Sequence, residues 1–526
     1  MNSLLEKILL VLSMFLIVVI FSLAIRGMNG NPDSEMLQSK HWTWDGPLEL
    51  SPERGRIALL YSFVEDHSLQ FSLDVARLAI PDLAVNSSGK YVSLFSPGPS
   101  FLAIPGYLLG KQFGVSIVGA FATSAFFAIL NLILIYAISI QLKSSRSAAL
   151  LGALTFSFAT PAFVYASELY QHHMTVFFLL ISVWAMMRFQ RSFFALAIVW
   201  FSCAISIVVD NPNIFLMFPV GIFSLFSLKE RLMEGYEQKL VLKSLVFTVM
   251  AIAVVIPPIL FLGWYNNMAN GNPFQLPGTL QAVDDIGEHG EAIVDSKYDQ
   301  IGTQSQDKPQ KTATGFFKTR NLYNGFFIHF ISPDRGILYF TPIILFGILG
   351  LFVLYRRSVW VAALFVAIIG TNTLLYSMWG DPWGGWAFGS RYLIPSYALL
   401  GIAIAIVLTY WEWRKWLIIA FLPLFAYSAW VNSLGAVTTS LNPPKIQVLA
   451  LEEQSGHEEK YTFLRNWEFL QGKYESVGSK AFVYQNWAKS YMTAQEYHKV
   501  LFSLIIILVL GIWLVSAREI FFNKKF

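Results

Sequence analysis

The chain of 526 residues is 55% hydrophobic and 16% aromatic but only 13% charged. Water-soluble globular domains carry about a quarter charged residues, so a soluble globule is excluded. The formal charge of +4 is small and gathers on one face, which argues against nucleic acid as a partner. A single cysteine, Cys203, rules out an intrachain disulfide or a cysteine-based metal site.

A helix needs about 20 apolar residues to cross ~30 Å of hydrocarbon. Runs of that kind recur at 4–25, 115–141, 147–167, 173–188, 193–209, 212–228, 244–264, 337–355, 358–378, 393–410, 416–434 and 500–516. They predict an all-α polytopic membrane protein with about twelve transmembrane helices. The first run lacks a small-residue cleavage site and is expected to be a retained anchor. Basic residues fall in alternate gaps and the C-terminal tail: Lys143 and Arg146, Arg188 and Arg191, Lys229 to Lys243, Arg356 and Arg357, Arg414 and Lys415, and Arg518 with Lys524 and Lys525. By the positive-inside rule these gaps and both termini are cytoplasmic, and the chain is expected in the plasma (inner) membrane. The opposite gaps hold three long polar segments, 27–100, 265–335 and 437–499, so the chemistry is expected on the outer face. The predicted organisation is a membrane domain over 1–436, a small extracytoplasmic cap over 437–499, and a last span with a cytoplasmic tail over 500–526.

Within the first outer loop, Ser51-Pro52-Glu53 combines a cap residue, a proline at the first helical position and an acid in the first turn. Apolar residues at helical spacing follow, which predicts an interfacial helix. Phe101–Gly110, interrupted by Pro105 and Gly106, is too short to cross and reads as a second interfacial or re-entrant piece.

Ionisable groups at membrane depth cost several kcal/mol unless they line a polar cavity. Five clusters stand at the outer ends of spans: Glu53-Arg54-Gly55-Arg56, Asp82 with Lys90, Glu168 through His173, Asp210-Asn211-Pro212, and Gly380-Asp381 through Arg391. One shared cavity would account for all of them. Plainer readings compete: Glu53 as an acid that complements a helix dipole, His172 and His173 as residues that satisfy a helix end, and Asp210-Asn211-Pro212 as an ordinary cap. The run Asp284 to Glu291 lacks EF-hand spacing and reads as solvated. No ligand set calls for a metal, and a divalent ion stays an open alternative. The segment Trp379 to Tyr392 holds three tryptophans and four glycines before Arg391. Flat apolar faces beside closely approaching backbone suit a sugar ring, and a fixed guanidinium suits a phosphate. The bland alternative is an aromatic belt turn.

Several motifs carry a family resemblance. They are Arg56 to Glu65, Asp82, Gly89-Lys90-Tyr91 through Ser100, Trp264-Tyr265-Asn266-Asn267 with Gly271-Asn272-Pro273-Phe274, Ser332-Pro333-Asp334-Arg335-Gly336 with Thr341-Pro342, and Trp383-Gly384-Gly385 with Phe388-Gly389-Ser390-Arg391-Tyr392. In this order they resemble the C-superfamily (GT-C) glycosyltransferases, in the bacterial branch that depends on a phospholipid carrier. The resemblance implies a polyprenyl-phosphate-linked sugar donor, a glycan, lipid or protein acceptor, and inverting direct displacement. It implies a catalytic base in the first outer loop, where Glu53 matches best and Asp82 second, with Pro52-Glu53 standing where relatives carry a pair of acids. It further implies Arg391 on the carrier phosphate, with Lys90 as a further cation. His172 or His173 would orient a substrate, Arg56 and Tyr91 would line its site, and Trp383 and Trp386 would shape the sugar pocket. A twelve-helix transporter or flippase, or a scaffold whose loops bind polymer, remains the alternative. Transporters, however, tend to carry related halves and midplane charges.

Overall fold

The structure is a computed structural model that describes residues 3–189, 192–233, 246, 248–293, 315–411, 414–456, 458–474 and 477–522. Of the basic gap and tail residues, Arg191, Lys239, Lys243, Lys524 and Lys525 lie outside the described residues, as does 294–314 of the second long loop.

Among the described residues, six helices are long and apolar enough to cross a membrane: Ser116–Gln141, Thr248–Asn270, Val359–Ser377, Arg391–Tyr410, Arg414–Val437 and Ala494–Phe521. Shorter apolar helices cover Val11–Ala24, Phe193–Val209 and Asn213–Phe226. Large apolar side chains such as Phe15, Phe126, Phe218, Leu260 and Ile507 face outward from these helices. Water does not tolerate so broad an apolar surface, and lipid does.

The helix Ile394–Tyr410 is apolar on every side and sits at the centre, buried almost throughout, as expected of a helix with no polar face. It packs against Leu345–Arg357, Arg146–Phe158, Ser116–Gln141, Val359–Ser377 and His172–Arg188. Small residues allow the closest crossings, as at many helix contacts in lipid. A Cβ on Gly152 would lie 2.3 Å from the Gly401 carbonyl oxygen.

Two expected spans are interrupted. The run 147–167 divides into Arg146–Phe158 and a 3-10 turn at Pro161–Ala166. The run 337–355 divides into Ile337–Phe340, a 3-10 turn at Pro342–Ile344, and Leu345–Arg357. In both, a proline that cannot donate a helical hydrogen bond marks the break. Pro105 does not break its helix: Gly98–Gln112 runs through it and packs on Ser116–Gln141. The Gly106–Gly119 contact brings the two backbones together there.

The long loops depart from an all-helical expectation. Strands β1 (Leu83–Val85), β2 (Tyr91–Ser93) and β3 (Gln281–Val283) form a sheet in the order β2-β1-β3. Both pairings are antiparallel, with Leu83 opposite Ser93 on one side and Val283 on the other. The sheet joins the first and second long loops and packs with the helix Ser51–Val64, whose Ile57 to Leu60 are buried. That helix is therefore enclosed by its own loop and does not lie open on a surface. The acidic run Asp284 to Glu291 belongs to a short hairpin, β4 (Asp285–Ile286) with β5 (Ala292–Ile293).

The segment 437–499 carries the helices Lys445–Ser455, Leu464–Leu470 and Phe482–Asn486. It is threaded into the same end of the bundle, because Lys480 N–H donates to Val437 O (2.9 Å) and Phe482 N–H to Ile25 O (2.8 Å).

The Gly152–Gly401 crossing yields a direct test. Gly152→Leu forces these backbones apart and should cost about 1–3 kcal/mol, read as a lower Tm of the purified protein in detergent. An unchanged Tm would contradict the close approach.

Candidate active site

Two buried groups of polar side chains meet at the long-loop end of the bundle, where Ser51–Val64, the 168–171 turn, the 210–212 turn and the 379–392 loop come together.

The first group is ionic. Arg26, just past the first helix, is fully buried, as is its partner Glu168. Its Nη1 lies 2.7 Å from Glu168 Oε2, its Nη2 donates to Gly435 O (2.9 Å), and Glu49 Oε2 stands 3.7 Å away. Lys480 Nζ lies 2.5 Å from Glu49 Oε1, and the Thr439 hydroxyl donates to Glu49 Oε2 (2.6 Å). Ser440 Oγ donates to Glu168 Oε2 (3.1 Å). Glu53 joins this group through local sequence: as the third residue of its helix it reaches back, and Oε1 accepts the Leu50 N–H (2.9 Å), as in a capping box. Glu53 Oε2 and Glu168 Oε1 are buried with no hydrogen-bond partner. Burial, followed by the charge of Glu168, raises the Glu53 carboxyl well above the ordinary range, while Arg26 opposes the shift. Burial likewise raises Glu168, with Arg26 opposing. The group holds three carboxyls and two cations, and burial pushes Glu53 and Glu168 toward the neutral form.

The second group holds two guanidinium ions. Arg56 is placed by the helix Ser51–Val64; its Nη1 donates to Pro52 O (2.6 Å) and its Nη2 to Gln171 Oε1 (2.5 Å). It lies over the Phe95 ring at 4.5 Å and the Tyr170 ring at 5.1 Å. Arg391 Nη2 donates to Gly384 O (2.7 Å), and its guanidinium faces Tyr165, Tyr170 and Tyr392 at 5.9, 5.3 and 5.6 Å. Arg56 Nε and Arg391 Nε and Nη1 are buried and make no well-aligned hydrogen bond, with the Tyr170 and Tyr392 hydroxyls close to the Arg391 guanidinium. His172 stacks on Tyr170 (5.7 Å, 5°) and leaves Nε2 unpartnered. Asp82 and Asp210 are only half-buried and stand within electrostatic reach of both guanidinium ions. Unpartnered donors of this kind fit an anionic ligand, since a buried guanidinium without an acceptor is costly.

Tyr170 connects the groups. Its ring lies beneath Arg56 and Arg391, and it is within the fields of Glu53 and Glu168.

The loop that delivers Arg391 depends on glycine where backbone geometry demands it. Gly384 and Gly389 have φ of 74° and 58°, in the left-handed region that favours glycine. A Cβ on Gly389 would meet Pro161 at 2.8 Å. Arg335 fastens this loop from below, donating to Asp334 O (2.8 Å), Trp383 O (3.3 Å), Gly385 O (3.1 Å) and Asn442 O (2.9 Å).

The site thus brings together Glu53, Arg56, Asp82, His172 and Arg391 from the sequence expectations, and it leaves the others aside. His173 turns into the helix bundle, where Nε2 pairs with Ala162 O (2.7 Å) and its carbonyl accepts from Asn131 (2.8 Å). Consecutive helical positions point about 100° apart, so only one of the two histidines can face the pocket. Lys90 sits in the exposed turn between β1 and β2. Tyr91 donates to Gly290 O (2.9 Å), joining the two long loops. Trp383 and Trp386 are turned by their indole N–H groups toward Asp334 Oδ2 (3.1 Å) and Gln447 Oε1 (2.7 Å); the first braces the loop and the second reaches the Lys445–Ser455 helix. Arg26, Glu49 and Lys480 were not singled out from sequence, while Glu168, Tyr170 and Gln171 lay within the cluster Glu168 through His173 without a role of their own.

No protein-family profile matches the chain, and no curated protein matches it. Among solved structures it is similar to the crystal structure of ArnT from Cupriavidus metallidurans in the apo state. The identity is 13% and the TM-score 0.45, over 97% of this chain and 75% of that one. A second structure of ArnT from the same organism, bound to undecaprenyl phosphate, gives 13% identity and a TM-score of 0.44 over 98% and 76% of the two chains.

Removing the cation of the ionic group should be severe. Arg26→Met strands Glu168 and Glu49 and should cost about 3–5 kcal/mol, and adding Glu168→Gln should return part of it. Thermal unfolding of both variants measures this. A single variant as stable as the parent would mean that Arg26 does not carry the group.

Proposed function

We propose that this protein is an integral membrane glycosyltransferase that moves a sugar from a polyprenyl-phosphate carrier to an acceptor hydroxyl by inverting direct displacement. The observation that carries the reading is the pairing across Tyr170: unpartnered guanidinium nitrogens on one side, and a carboxyl pair with unpartnered oxygens on the other. Such a reaction needs an anion clamp and a proton acceptor and little else.

The anomeric carbon's bond to the phosphate oxygen breaks as its bond to the acceptor oxygen forms. The electron pair departs with the phosphate, where Arg391 and Arg56 neutralise it and His172 Nε2 adds a contact. The acceptor's proton passes to the ionised member of the Glu53–Glu168 pair. Burial favours this role, because a carboxylate raised toward neutrality is a stronger base than one in water. Asp82, half-buried near Arg56 and Arg391, orients the incoming groups. The outer-face location is supported by the gathering of Arg188, Arg356, Arg357, Arg414 and Arg518 at helix ends opposite the site, where the positive-inside rule puts the cytoplasm.

Purified protein in lipid nanodiscs, given labelled polyprenyl-phosphate sugars and acceptor lipids or glycans, should release polyprenyl phosphate. Glu53→Gln keeps an acceptor for the Leu50 N–H and should lower the transfer rate by about 10²–10⁴-fold, with binding of polyprenyl phosphate unchanged. Full activity in that variant would move the base to Glu168 or Asp82, which Glu168→Gln and Asp82→Asn check in parallel. Arg391→Ala should weaken binding of polyprenyl phosphate by about 10- to 100-fold. Vectorial uptake of the sugar lipid without cleavage would overturn the transferase reading.

A further inference from the structure

Asp210 follows the helix Phe193–Val209 as its C-cap, and its backbone N–H donates to Ser206 O (3.0 Å). An aspartate before Pro212 and a helix start is expected to cap that next helix. Its carboxylate does not; Oδ2 instead accepts from Gln171 Nε2 (3.3 Å). The other end of the Gln171 amide, Oε1, accepts from Arg56, so one amide fixes the carboxylate relative to the anion clamp. Asp210 also lies within the fields of Arg391, Tyr376 and Tyr392, and those two tyrosine rings stack face to face at 4.2 Å and 6°. Unlike Glu53 and Glu168, Asp210 keeps part of its surface open, as does Tyr392. Beside it, Asn211 holds a buried side-chain oxygen with no partner.

A half-open carboxylate, an amide and an aromatic face beside a phosphate clamp are the groups that recognise a ring bearing several hydroxyls. An ionised carboxylate accepts hydroxyl protons, and it repels a second carboxylate. We infer that Asp210, held by Gln171, is a specificity-determining residue that binds the hydroxyls of the donor sugar and excludes sugars carrying a carboxylate. This inference rests on the transferase reading above. Burial pushes the Asp210 carboxyl up to about 6, against Arg56, Gln171 and Arg391, which favour its ionised form. Asp82 adds a second negative charge near the same guanidinium ions.

The test measures binding to the full chain in nanodiscs with three probes: polyprenyl phosphate, polyprenyl-phosphate glucose, and its glucuronate counterpart. The parent protein should prefer the glucosyl lipid over the glucuronosyl lipid by about tenfold or more. Asp210→Asn should leave binding of polyprenyl phosphate within about twofold, weaken the glucosyl lipid about tenfold, and bring the two sugars within about threefold of each other. Parent protein that binds both sugar lipids equally would overturn the subsite and leave the transferase reading intact; this measurement decides the matter even if the variant does not fold. Asp210→Asn that weakens the sugar-free lipid as much as the glucosyl lipid would equally overturn it. Parent protein that ignores polyprenyl phosphate would overturn the transferase reading and this inference with it.

Discussion

Charge buried at one end of an apolar bundle is the constraint that organises this protein. Arg26, Glu49, Glu53, Glu168 and Lys480 are all buried within one ionic group. A buried ion is tolerated only when its partners are near and oriented. These partners come from the end of the first helix, the first long loop, the 168–171 turn and the segment before the last helix. Meeting that requirement pins together chain segments far apart in sequence, and it places the helix Ser51–Val64 and Tyr170 where Arg56 and Arg391 converge.

The anion clamp is built on that base. Arg56 takes its position from a helix whose start is fixed by Glu53, so acid and cation, less than one helical turn apart, share one backbone frame. Arg391 arrives from the opposite side on a loop whose left-handed glycines and Arg335 anchor leave little freedom. Each guanidinium spends some donors on protein carbonyls or amides and keeps others unpartnered. That division fits the proposed function: the scaffold bonds hold the geometry, and the remaining donors suit an anionic ligand.

Much of this was legible in the chain. The apolar helices followed from run length, six of them long enough among the described residues to cross a membrane, and the helix after Pro52 from capping chemistry. The convergence of Glu53, Arg56, Asp82, His172 and Arg391 followed from the cost of placing ions at helix ends without a shared polar space. The residues that stand apart from the group share a cause. His173, Lys90, Trp383 and Trp386 have the right chemistry at nearly the right place. Side-chain direction moved them elsewhere: a helix turns one residue out of register, a hairpin turn exposes a lysine, and an indole N–H seeks a buried acceptor. The short strands escaped notice because segments of two or three residues carry almost no periodicity and are defined by their partners.

By itself the sequence determined what depends on composition and local order: a helical protein suited to lipid, in which long polar segments alternate with short basic gaps. Only the tertiary structure decided which acid meets which base. The pairing of Glu168 with Arg26 spans 142 positions, and that of Gln171 with Arg56 spans 115. No local rule encodes contacts at such separation. They exist because a buried charge left without partners is costly, whatever its distance along the chain.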